Sequence, residues 1–273
     1  MQRRIVQNLC SMSFFEGETE MKIDFNSDMG ESFGIYNMGN DSELLNYVSS
    51  INVACGFHAG DPVIMGKTVQ LAKEKGVAVG AHPSFPDFMG FGRRYMSCTD
   101  QEIRDYIIYQ VGALKSFLDY YDVELQHIKP HGALYNMAMD DSKIAIPMVE
   151  TIAKLGEKLI TFGFDQSEVQ YYCKKKGVPY AVEGYGDREH TNNGRIIMTR
   201  TGEQKSTTEE LADRAVRLII NKKVISTTGN DIDMPVQTLC VHGDTPNVER
   251  LAALIVKKLE EKEVEICKIS EFI

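Results

Sequence analysis

The chain has 273 residues, 43% of them hydrophobic and 25% charged, which excludes the disordered and fibrous classes and allows one large α/β domain or two small ones. A formal charge of −9 without a long run of Lys and Arg argues against a nucleic-acid partner. Six scattered cysteines contain no Cys-x-x-Cys pair, so reduced thiols in a cytoplasmic protein are expected, and no apolar run reaches the length of a membrane span.

Residues 1–20 contain an apolar stretch that Gln7, Asn8 and Ser11 break before it attains the length of a signal-peptide core. They read as an N-terminal tail ahead of a single domain over 21–273. Within that domain, periodicity predicts strands near 22–26, 51–55, 77–81, 125–129, 158–162, 179–182 and 237–241, with helical patterns between most of them.

The first strand places Asp24, Asn26 and Asp28 at alternate positions, so the three share one face. Buried carboxylates are costly unless paired, and the row therefore points to a functional barrel interior rather than to a solvated edge strand. The second strand ends at Cys55 and breaks into Gly56-Phe57-His58 before Asp61-Pro62, an N-cap and first helical residue. The stretch Gly60 to Thr68 superficially resembles a phosphate-binding loop, but it has five residues between its glycines where the motif needs four. After the third strand come His82-Pro83 and the glycine-loosened pair Arg93-Arg94, suited to gripping a carboxylate or phosphate.

Helix 100–121 is the clearest, with a broad apolar stripe behind a Thr99-Asp100 cap. The fourth strand runs into Lys129-Pro130-His131-Gly132, where a lysine beside a histidine could bind an anion or an amide oxygen. Glycines and asparagines interrupt 183–206, which reads as a long excursion, a hairpin or lid over the barrel mouth. Thr207 or Thr208 caps the next helix, and the last strand ends in Val241-His242-Gly243-Asp244 ahead of a helix through Val248 and Leu259.

Alternating strands and helices predict an irregular TIM-like (β/α) barrel with about seven parallel strands. Its polar groups gather at the carboxyl ends of the strands, where such barrels keep their sites. An anionic substrate then depends on local cations, namely Arg93, Arg94, Lys129 and Arg188. His58, His82, His131 and His242 suit either metal ligation or proton transfer, and spacing alone does not choose between them. No Gly-x-Ser-x-Gly elbow is present, and Cys55 and Cys240 read as core thiols.

Six motifs in order, DFNSDMGES at 24–32, NVACGFHAGDP at 52–62, GAHPSFPDFMGFGRR at 80–94, IKPHGALYN at 128–136, GDRE at 186–189 and CVHGDTP at 240–246, resemble the LamB/YcsF family over about residues 21–270. The resemblance implies a glycoside hydrolase/deacetylase-like barrel. It also implies ATP-dependent hydrolysis of 5-oxo-L-proline to L-glutamate, using ATP with Mg and the 5-oxoprolinase subunits B and C as partners. On that basis Asp28, His58, Lys129 and His131 are expected to be catalytic. Asn26, Arg93, Arg94, Arg188 and His242 are expected to bind substrate. The competing readings are a metal-dependent amide or acetyl hydrolase, as the related deacetylases suggest, with Asp28, His58 and His82 as candidate ligands of a transition metal, and a non-catalytic subunit binding a small carboxylate. Arg200 to Lys205 departs from the family, whose members usually carry a Pro-Gly loop there.

Overall fold

A computed structural model describes residues 21–197 and 206–273. Seven parallel strands close a barrel: β1 (Met21–Met29), β2 (Ser50–Ala54), β3 (Ala78–His82), β4 (Leu125–Ile128), β5 (Ile160–Gly163), β6 (Tyr180–Tyr185) and β9 (Thr238–His242), which pairs with both β6 and β1. A short antiparallel pair, β7 (Lys223–Ile225) and β8 (Asp231–Asp233), stands outside the barrel, and β10 (Val264–Ile266) lies beside the start of β1. The predicted seven-stranded TIM-like barrel is therefore the observed fold.

The helices are α1 (Asp41–Leu44), α2 (Pro62–Lys75), α3 (Asp100–Tyr120), α4 (Gly132–Asp140), α5 (Ser142–Leu155), α6 (Glu168–Lys176), α7 (Thr208–Asn221) and α8 (Val248–Glu260). Their starts follow local chemistry. Thr99 and Glu102 form a reciprocal capping box on α3, Thr207 and Glu210 do the same on α7, and Asp61 accepts the N–H groups of Val63 and Ile64 on α2. Their apolar stripes pack on the outward side chains of the strands, such as Phe25, Met29, Ile51 and Val53, to form the main core.

The barrel interior is polar instead. Strand register sets Asp24 beside Thr238, Asn26 beside Ser50 and Cys240, and Asp28 beside Asn52 and His242. Asp24, Asn26 and Asp28 are all buried, which excludes the edge-strand reading. Opposite them, His127 stacks on Phe162 at 4.1 Å and donates from Nε2 to Asn52 Oδ1 at 2.7 Å. A Cβ at Gly80 would lie 2.1 Å from that nitrogen, so glycine there makes room for the ring.

Two expectations need correction. β1 continues past residue 26 to Met29, because its carboxylates are paired inside the barrel rather than marking a turn. β6 likewise runs through Glu183 and Tyr185, which the glycine pattern assigns to the excursion. Within that excursion, His190 and Ile196 form one antiparallel bridge, while 198–205, with the whole of the departing loop, lies outside the described residues, as do 1–20. Nothing in the periodicity marks the β7–β8 pair either, because its strands are only three residues each. Among the described residues, no helix is long and apolar enough to cross a membrane.

Asp24 offers a test of the polar interior. It accepts hydrogen bonds from Ser49, Ser50 and Thr238, yet burial pushes its carboxyl from 3.8 up to about 6. An acid with a raised folded pKa takes up a proton on folding. Its contribution is therefore most favourable below 3.8 and declines by about 3 kcal/mol as pH rises to about 6. Asp24→Asn is expected to lessen the fall in denaturant-derived stability across that window; an unchanged slope would refute the assignment.

Candidate active site at the carboxyl ends of the strands

Lys129 follows β4 and reaches into the barrel mouth. Its ammonium lies 2.8 Å from Glu183 Oε1, 3.1 Å from Asp28 Oδ1 and 3.1 Å from Cys240 Sγ. Burial alone would lower the lysine pKa and raise that of Asp28. Neighbouring opposite charges outweigh it: Asp28, then Cys240 and Glu183, hold Lys129 well above its ordinary range, and His82, then Lys129, hold Asp28 well below its own. Glu183 is satisfied further by Asn26 and by the hydroxyls of Tyr135 and Tyr185, the latter at 2.7 Å. The result is two buried carboxylates around one fixed, buried cation.

Next to it stand three histidines from the carboxyl ends of β2, β3 and β4. His58 and His131 stack with ring centroids 3.8 Å apart, and His82 Nε2 lies 2.9 Å from His131 Nδ1 and 3.3 Å from Asp28 Oδ2. Glu31 closes the group, with Oε1 3.5 Å from His58 Nε2. Burial, then the neighbouring rings, lower the pKa values of His58 and His131 and keep both neutral. Burial also raises Glu31 well above the carboxylate range, reinforced by Asp28 and Asp244.

The remaining expected residues divide by position. Arg93 lies at the rim, with Nη2 only 3.5 Å from Asp244 and with Nε unpartnered among the described residues. Arg94 pairs with Asp87 and lines the larger cleft beside the mouth rather than the mouth itself. Arg188 is tied to Asp187, Asp244 and Thr245, and His242 stacks on Tyr185 while its Nδ1 lies 3.1 Å from Asp187. Asn26 sits below Lys129, its amide committed to Glu183, Thr238 and the Leu239 carbonyl. Free space between these groups is about 30 Å³, room for little more than a water molecule, and a larger cleft of about 460 Å³ shares Arg93, Asn136 and Ile196 with it.

Sequence reasoning missed Glu31, Asn52, Glu183 and Asp187 as site residues. Glu183 had a usable signal, a lone carboxylate in the apolar run Tyr180 to Val182 at a strand's end. Cys55 is the core thiol expected, pushed up to about 12 by burial. Cys240 is not simply core: its sulfur faces Lys129. His127 lies within β4 and stays inside the barrel, apart from the other rings.

A closed parallel barrel with a lysine, carboxylates and histidines at its carboxyl-end mouth defines an α/β barrel of the site-bearing TIM-like type. The LamB/YcsF family matches residues 23–273, and the chain belongs to that family. The 5-oxoprolinase A subunit of Campylobacter jejuni subsp. doylei is 44% identical over 253 residues, covering 92% of this chain and 99% of the relative. The crystal structure of a "Lactam Utilization Protein" from Thermus thermophilus superposes with a TM-score of 0.84 at 37% identity, covering 90% of this chain and 99% of that one. A family 4 carbohydrate esterase from Streptomyces lividans shares only the fold, with a TM-score of 0.51 at 10% identity over 90% of this chain and 91% of that one.

Proposed function

We propose that this chain is the A subunit of a cytoplasmic 5-oxoprolinase, hydrolysing 5-oxo-L-proline to L-glutamate at the expense of ATP with subunits B and C. The observation that carries the reading is Lys129, a cation fixed by Asp28 and Glu183 on the floor of a mouth whose rim bears Arg93. The substrate is a small anion with a lactam carbonyl. Arg93, whose Nε has no partner among the described residues, is suited to its carboxylate, and Lys129 to the carbonyl oxygen or to a phosphate placed on it.

A five-membered lactam is a resonance-stabilised amide, and phosphorylation of its oxygen makes the carbonyl carbon a better electrophile. Water attacking that carbon loses its proton to the group formed by Asp28, His58 and His131, which lies beside Lys129; the C–N bond then breaks as its nitrogen takes up a proton, and a second water releases phosphate from the resulting acyl phosphate to give glutamate. Arg188 and His242 brace the opposite wall through Asp187, while Arg94 anchors the loop that carries Arg93. Asp61 caps α2 where a phosphate-binding turn would present free N–H groups. ATP and its Mg are therefore assigned to the assembled enzyme rather than to this turn.

The test is glutamate release from 5-oxoproline by the purified chain, with and without ATP and candidate B and C subunits. Turnover requiring all components is expected; no glutamate from a verified complex would overturn the reading.

A further inference from the structure

The three histidines at the mouth face one another in a way that neutral rings alone do not satisfy. His82 Nδ1 lies 2.7 Å from the Lys129 carbonyl and His131 Nε2 lies 2.9 Å from the Phe91 carbonyl. A carbonyl oxygen only accepts, so both of these nitrogens carry the hydrogen. With both rings neutral, the lone pairs of His82 Nε2 and His131 Nδ1 are turned toward each other across 2.9 Å. Among the described residues, His58, 1% exposed, has no hydrogen-bond partner on either ring nitrogen, and Glu31 Oε1 is also without one. One ligand atom from each of Glu31, His58, His82 and His131 falls within 4.8 Å of the others.

We infer that Glu31, His58, His82 and His131 bind a divalent transition-metal ion of the zinc class. Three imidazole nitrogens and a carboxylate oxygen are the donors such an ion selects, at bonds of about 2 Å. The backbone carbonyls of Lys129 and Phe91 do what outer partners of metal-bound histidines do, fixing each ring's tautomer and aiming its lone pair inward. An ion there replaces two opposed lone pairs with two bonds, and the parallel His58 and His131 rings tilt out of their stack to meet it. With the rings so engaged, Asp28, 3.3 Å from His82 Nε2, becomes the proton acceptor facing the mouth. The inference goes beyond the lactam reading and does not depend on it.

The experiment is metal binding by the full chain after chelator treatment and dialysis, using Zn²⁺ for stoichiometry by elemental analysis and Co²⁺ for its visible spectrum. One equivalent of bound metal is expected, with an intense four- or five-coordinate Co²⁺ spectrum lacking thiolate charge transfer. His58→Ala and Glu31→Gln should each weaken binding about tenfold or more, whereas Cys240→Ser should leave it unchanged. Because a variant can fail to fold, the wild-type stoichiometry and a metal-induced rise in melting temperature stand as separate readouts. Less than a tenth of an equivalent on folded wild-type chain overturns the inference. So does binding lost with Cys240→Ser but kept with His58→Ala, which would place the ion in the neighbouring group of Asp28, Cys240 and His242.

Discussion

Lys129→Met is expected to abolish turnover and to destabilise the chain together. The substitution keeps much of the side chain's volume but removes the charge that Asp28 and Glu183 share at 3.1 and 2.8 Å. Breaking a buried ion pair by deleting one partner costs about 3–5 kcal/mol, because the remaining charges stay buried and unpaired. Loss of a preorganised electrophile at a developing oxyanion costs a factor of about 10²–10³ in kcat, and a full charge more. The two effects separate in the double variant Lys129→Met with Glu183→Gln. Removing one orphaned carboxylate should restore part of the stability measured by denaturant while leaving turnover absent. Turnover within tenfold of wild type in either variant would show that the lysine is structural.

Gly92→Ala carries the second large effect. Gly92 has φ +63°, and a Cβ there would stand 2.3 Å from Ser84 Oγ and 2.8 Å from both His131 Cδ2 and His58 Cβ. The methyl group thus drives into the stack of His58 and His131 while the backbone bears left-handed strain. Overpacking and strain together should cost about 2–4 kcal/mol. Displacement of the rings by about 1 Å should lower turnover about 100-fold. Gly76→Ala is the matched control, with φ +68° but open space around the added carbon. It should cost about 1 kcal/mol and leave turnover unchanged. Equal stability losses in the two variants, with equal activities, would mean that Gly92 matters only for its backbone angle.

The loops share the same logic of close approach. Gly92 O accepts the Ala133 N–H at 2.8 Å, and Gly132, at φ +57°, has no room for a Cβ because Gly92 O would be 2.5 Å away. The loop after β3 is thereby locked onto the start of α4, which carries His131 as its N-cap. That lock explains why Arg93 and Arg94, adjacent in sequence, end in different surroundings. The backbone turns between them, leaving one at the mouth and the other on Asp87.

Alternation of Asp24, Asn26 and Asp28 along one strand, and the recurrence of a histidine after a strand at His58, His82, His131 and His242, were enough to place a polar site at one end of a barrel. The two-residue period of a strand and the chemistry of caps and turns are local properties, written within a few neighbouring residues. Which groups meet is different in kind. Pairing of β1 with β2 sets Asp28 beside Asn52, but Asp28 comes beside His242 only when β9 closes onto β1. Closure is also what brings Glu183 and Cys240 to Lys129, separates His127 from the other rings and gathers His58, His82 and His131 with Glu31. Barrel closure depends on the stagger of all seven strands at once, so these pairings belong to the tertiary structure, while the strand-end positions of the histidines and the alternating row belong to the sequence.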